Sequence, residues 1–207
     1  MYHSCILPAP FIHIGRVMYA VVSQLDPIHD ALVRGLWSEL ELHYRLRLAY
    51  PKPIAHISYM VFEDKPEAGL KERLQNFASN HEPFDIRAGG LGLFPGSPAI
   101  LYLPVVRSAQ LTVFHQRLWR EMNRDHWSPS VLYHPERWIP HISLAQLNLQ
   151  QVGVADVIVD MAERRLDWQC TISSLALING VSLTSGLDYV LPFSRARQRT
   201  FNEGLFF

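Results

Sequence analysis

The strongest constraint on how this chain can fold is a short apolar frame that occurs twice around the same polar pair. Ile54-Ala55-His56-Ile57-Ser58-Tyr59-Met60-Val61 and Trp138-Ile139-Pro140-His141-Ile142-Ser143-Leu144-Ala145 each enclose a His-x-Ser within residues that favour extended backbone. On a strand, successive side chains point to opposite faces, so His56 and Ser58 share a face, as do His141 and Ser143. Ile57 and Ile142 then point the other way, into a core. Two such strands set side by side line a cleft with two imidazoles and two hydroxyls.

The frame carries this signal, not the tripeptide. With ten histidines in 207 residues, about one His-x-Ser or His-x-Thr is expected from composition. A third copy, His126-Trp127-Ser128, serves as a control. It sits in a polar stretch followed by Pro129 that reads as a loop, lacks the apolar frame, and is assigned to chance.

Paired His-x-Ser strands, one in each half of a chain of this length, resemble the 2H phosphoesterase superfamily, which includes the bacterial RNA 2′,3′-cyclic phosphodiesterases once called 2′-5′ RNA ligases. The copy Pro140-His141-Ile142-Ser143-Leu144-Ala145 is similar to the second motif of that family; the first copy, with Ala55 before the histidine, is a looser match. The resemblance runs from Tyr19 to Phe193, and its specific part is the two motifs. It implies an α+β fold of two pseudo-symmetric lobes, with antiparallel sheets flanking a central cleft and helices on the outside. It also implies that His56 and His141 are an acid/base pair and that Ser58 and Ser143 hold the phosphate.

The residues themselves suit that chemistry. Imidazole, with an unperturbed pKa near 6.5, both accepts and donates a proton near neutrality. Two of them across a phosphodiester can divide the work, one taking a proton from water or a ribose hydroxyl and the other protonating the leaving oxygen. Hydroxyls are suited to the non-bridging oxygens, where charge must be held. Which histidine is the base is left open at this point. A serine nucleophile is disfavoured, because no G-x-S-x-G elbow is present. No H-E-x-x-H, acidic cluster or Cys/His set points to a metal, so neither metal nor cofactor is expected. Tyr133 and Arg137, just before the second motif, are candidates for stacking on a base and binding a phosphate. Ordinary packing is the competing reading for Tyr133 and Trp138. The expected function is hydrolysis of a 2′,3′-cyclic phosphate or a 2′-5′-type diester in RNA ends or oligonucleotides. A nucleotide-binding module without turnover, and RNA 2′-5′ ligation, are the alternatives.

Composition narrows the partners. The formal net charge is zero and the pI about 7.2. That argues against coating long nucleic acid through many phosphate contacts, and leaves room for a nucleotide or one RNA end. Cys5 and Cys170 are far apart and read as free thiols in a reducing, cytoplasmic setting. No apolar run is long enough to span a bilayer, and no signal-peptide pattern opens the chain. One domain over 1–207 is expected, monomeric, with 1–16 as an N-terminal extension.

The remaining pattern predicts a strand at Tyr19–Leu25 and a helix from Asp26-Pro27 to Leu46 with Ile28, Leu32, Leu36, Leu40 and Tyr44 along one face. A second helix opens at Pro66. Strands follow over Phe84–Leu93 and Ile100–Val106, then a helix through Leu111, Phe114, Leu118 and Met122. Arg117, Arg120 and Arg124 line another side of that helix and read as a solvated face. Asp125–Pro135 reads as loop. After the second motif come a helix over Val152–Arg165, strands at Thr171–Ile178 and Tyr189–Phe193, and a surface tail with Arg195, Arg197 and Arg199.

Overall fold

The structure, a computed structural model, describes residues 19–46, 54–62, 69–123, 129–148, 153–179 and 186–194. The 1–16 extension, the control motif at 126–128, Arg124 and the arginines of the tail lie outside these residues.

Among the described residues three antiparallel sheets carry the fold. In the first, β1 (Tyr19–Gln24), β2 (His56–Phe62), β8 (Ser174–Asn179) and β9 (Gly186–Pro192) run in the order β2-β1-β8-β9, every neighbouring pair antiparallel. In the second region, β4 (Gly92–Phe94), β5 (Ala99–Pro104) and β6 (His141–Leu147) form an antiparallel sheet, and β3 (Phe84–Gly89) pairs with β7 (Asp167–Ile172). A bridge between Ala88 and Val105 joins that pair to β5. The expected α+β fold with antiparallel sheets is present.

The lobes are not halves of the sequence. α2 (Leu70–Ser79) packs on β8 and β9, and α3 (Ala109–Met122) packs on β2. α1 (Pro27–Tyr44), which lies between β1 and β2 in the chain, packs instead on β6. Each motif strand is therefore backed by a helix from the other half of the sequence. α4 (Val154–Glu163) completes the described helices, and its neighbour Arg164 bonds Glu39 of α1 and Asp160.

Local chemistry explains the helix ends. Asp26 caps α1, accepting from the backbone N–H groups of Ile28 and His29 at 3.1 Å, with Pro27 pre-set in the first turn. Ser108 does the same for α3 through Leu111. The buried face of α1 is Val33, Leu36, Trp37 and Leu40; of the predicted stripe Leu36 and Leu40 are buried and Tyr44 packs half-buried on the core, while Ile28 and Leu32 are exposed. Trp37 reaches β6.

Three further expectations are corrected. The single strand over Phe84–Leu93 is two, β3 and β4, separated at Gly90, whose φ of 80° suits glycine. The single strand over Thr171–Ile178 is also two, β7 and β8, broken at Ser173, and they belong to different sheets. The stretch read as loop before the second motif contains a short 3-10 helix at Val131–Tyr133.

Candidate functional site

β2 and β6 are both outer strands of their sheets and lie against one another without being ladder partners among the described residues. Their registers match. His56, Ile57 and Ser58 face Gln24, Ser23 and Val22 of β1, and a bulge follows at Tyr59. His141, Ile142 and Ser143 face Pro104, Leu103 and Tyr102 of β5, and a bulge follows at Leu144. A bulge one residue past each serine re-aims the strand there, so each His-x-Ser ends its regular run at the same point. Ile57 and Ile142 are fully buried, as the alternation requires.

Both histidines are held the same way. His56 Nδ1 bonds the carbonyl of Ile54 at 2.5 Å, and His141 Nδ1 bonds that of Ile139 at 2.7 Å. A carbonyl only accepts, so Nδ1 carries the proton in each neutral ring. Nε2 is then the nitrogen that exchanges protons. Burial lowers the pKa of both rings. For His141 the result is about 4, with burial the main cause, the Ile139 carbonyl opposing it and the charge of His56 adding to it. His56 is thus close enough for its charge to bear on His141. Ser58 is buried beside the first ring, and Ser143 is partly buried beside the second.

An aromatic wall flanks His141, and sequence reading missed it. Phe94 and Tyr102 stack with ring centroids 4.1 Å apart, and each meets the His141 ring edge-on, at 4.9 and 5.3 Å. Gly92, the cross-strand partner of Tyr102, makes room for it: a Cβ there would lie 2.4 Å from the Tyr102 ring. The glycine before Phe94 was the available signal, since a strand glycine marks a close approach.

The substrate-binding candidates fare differently. Tyr133 is in the core, 3 % exposed, and does not present its ring to an open surface. Arg137 is exposed. Trp138 is buried and donates Nε1–H to the Ser58 carbonyl at 2.9 Å. Behind it, His115 of α3 stacks on the indole at 3.8 Å and bonds the Tyr59 carbonyl through Nε2 at 3.0 Å.

Among the described residues, one group could gather ligand atoms for a cation: Asp26, His29 and Cys170, within 4.8 Å of one another. Its chemistry is that of a helix cap. The Asp26 carboxylate already accepts from the backbone of Ile28, His29 and Thr171 and from His29 Nδ1. Burial pushes the Cys170 thiol up to about 12, so it stays protonated.

Comparison with known proteins agrees with the fold. No curated protein matches the sequence. The protein TT0787 of Thermus thermophilus superposes with a TM-score of 0.59 at 15 % identity, covering 87 % of this chain and all of its own. The LigT protein of E. coli, solved with NADP+, gives 0.57 at 13 % identity, over 87 % of this chain and 99 % of that one. A structure described as a phosphoesterase gives 0.55 at 14 %, over 87 % and 100 %. At such identities these likenesses establish the fold alone. The family rests on sequence: the model of the 2'-5' RNA ligase superfamily matches residues 13–182. The chain belongs to the 2'-5' RNA ligase superfamily.

Proposed function

We propose that the protein is a metal-independent phosphodiesterase that opens a 2′,3′-cyclic phosphate, or cleaves a 2′-5′-type diester, at RNA ends or in oligonucleotides. The observation that carries this reading is the matched pair of imidazoles, each with its Nδ1 proton committed to a carbonyl two residues back. Fixing Nδ1 leaves Nε2 of each ring as the site of proton transfer, on strands that lie side by side.

In this mechanism one Nε2 takes a proton from water as its oxygen bonds to phosphorus. The other, protonated, gives its proton to the ribose oxygen as that P–O bond breaks. Ser58 and Ser143 donate hydrogen bonds to the non-bridging oxygens, where negative charge builds. Burial favours the neutral form of both rings, but an anionic diester between them favours an imidazolium. Substrate thus supplies the charge that makes one ring an acid. Phe94, partly buried beside His141, is better placed than Tyr133 to face a base, and Arg137 remains a surface candidate for a second phosphate. The nucleotides with which the E. coli LigT protein was solved, NADP+, 3'-AMP and ATP, favour a nucleotide-like ligand.

The test is turnover of 2′,3′-cyclic nucleotides and a 2′-5′-linked dinucleotide in EDTA, wild type against His56→Ala and His141→Ala. The reading expects activity that survives chelation and falls by about 10²–10⁴ in each variant. Wild-type protein that binds nucleotide and turns over nothing would replace the enzyme by a binding module.

A further inference from the structure

We propose that Trp37 and Trp138 are a matched pair of positioning residues, each holding one His-x-Ser segment in place through the carbonyl of its serine. Trp37 Nε1 donates to the Ser143 carbonyl at 3.2 Å, and Trp138 Nε1 donates to the Ser58 carbonyl at 2.9 Å. Both indoles are buried, at 5 % and 2 % exposure. Neither is adjacent in sequence to the carbonyl it holds. Trp37 comes from α1 in the first half and serves the second motif; Trp138 precedes the second motif and serves the first.

The fold explains why such donors are needed. An outer strand has a ladder partner on one side only, so its outward carbonyls need another donor or water. Among the described residues β2 and β6 are outer strands of their sheets, yet Ser58 is buried and Ser143 half-buried. At each serine the ladder is also interrupted by the bulge that follows. A carbonyl left without a donor there is destabilising, and the peptide plane is free to rotate until it finds one. An indole N–H has one proton and a rigid ring, so it fixes the direction of the carbonyl it bonds. Fixing the Ser58–Tyr59 plane fixes where the Ser58 hydroxyl and the His56 ring, two residues back, are aimed; Trp37 does the same for Ser143 and His141. On the β2 side His115 extends the device, stacking on Trp138 and bonding the next carbonyl, Tyr59.

An ordinary core indole also finds a partner for its N–H. Two of them choosing the same atom of the same motif residue, once in each lobe, sets this pair apart.

The kinetic part of the test rests on the proposed phosphodiesterase reading; the spectroscopic part does not. Trp37→Phe and Trp138→Phe keep an aromatic ring and lose the donor. Trp168→Phe, on β7 beside His29, is the control. At a temperature where far-UV circular dichroism shows each variant folded, Trp37→Phe and Trp138→Phe should lower kcat for a 2′,3′-cyclic nucleotide by about 10- to 100-fold, with KM within about threefold. The control should change neither. Independently, imidazole proton resonances, assigned with His56→Gln and His141→Gln, should follow the crossed pattern. Trp37→Phe should move the His141 signals more than those of His56, and Trp138→Phe the reverse. If a phenylalanine variant does not fold, benzothienylalanine at the same site trades the N–H for sulfur in a ring of nearly the same size. Resonances that move no more than in the control, or move without the crossed pattern, overturn the inference whether or not the protein turns over substrate. Absence of wild-type turnover with the crossed pattern intact overturns only the phosphodiesterase reading.

Discussion

His115 should make the protein sensitive to mild acid. Its ring is 1 % exposed, stacked on Trp138, with Nε2 bonded to the Tyr59 carbonyl. Burial drives its pKa down to about 4, helped by the nearby charges of Arg107 and His134 and opposed by the carbonyls of Tyr59 and Tyr133. In the unfolded chain it titrates at about 6.5. The folded value is the lower one, so between these limits the unfolded chain binds the proton and the folded chain does not. Stability is therefore full above pH about 6.5 and falls as pH drops toward 4. Linkage over that window removes about 2 kcal/mol between pH 7 and pH 5 for one such histidine. His141, also lowered to about 4, adds a similar amount. Against a typical stability of about 5–15 kcal/mol, this is a large loss. The assay is urea unfolding at pH 7, 6 and 5, wild type against His115→Gln, whose amide can still donate to the Tyr59 carbonyl. The variant starts less stable, because the stack on Trp138 is lost, but its stability should fall about 2 kcal/mol less between pH 7 and 5. Parallel pH dependences in the two proteins would refute the buried neutral imidazole.

Three other outcomes follow from the geometry. Gly92→Ala places a Cβ 2.4 Å from the Tyr102 ring, so the ring must leave its stack on Phe94; we expect about 1–3 kcal/mol of destabilisation in chemical unfolding and a displaced His141 ring resonance. Asp26→Ala removes the α1 cap together with the acceptor for Thr171 N–H, and should cost about 2 kcal/mol, measured by the same unfolding assay, with no change in the pH profile of turnover. Ser58→Ala and Ser143→Ala should each lower kcat on a cyclic phosphate by about 10²–10³ while leaving the fold intact; an unchanged kcat in both would remove the hydroxyls from the mechanism.

How much of this could be read from the chain depends on the range of each interaction. His56, Ile57 and Ser58, and their counterparts at 141–143, were legible because strand alternation is local: the buried isoleucine and the polar pair follow from period two. Partner choice was not. β7 and β8 are separated by the single residue Ser173 and enter different sheets, a decision made by β3 on one side and β1 on the other, far away in sequence. Helical spacing picked out Leu36 and Leu40 of the buried face of α1 but not Trp37, whose bond to the Ser143 carbonyl of β6 no helical spacing encodes. Tyr133 lies next to the motif in sequence and inside the core in space, while Phe94 and Tyr102 lie far from it in sequence and against it in space. Proximity along the chain was a poor guide to the wall of the cleft; the glycine at 92 was a better one.

The arrangement also answers a question raised by any pair of outer strands that meet. Among the described residues β2 and β6 each have a ladder partner on one side only, and two facing edges can zip into one continuous sheet. Zipping would draw together the strands that carry His56 and His141, between which the proposed phosphodiesterase reading puts the diester. Charged side chains are the common defence of an edge, but here they would shift the pKa values of the two imidazoles. The described residues show a different solution. The bulges at Tyr59 and Leu144 break the straight run an edge needs for pairing, and a neutral indole N–H takes the serine carbonyl on each side. Neither device adds charge to the cleft. On this argument, the aromatic residues around the motifs keep the two sheets apart as much as they fill the core, and a donor lost at Trp37 or Trp138 harms the spacing of the imidazoles before it harms the fold.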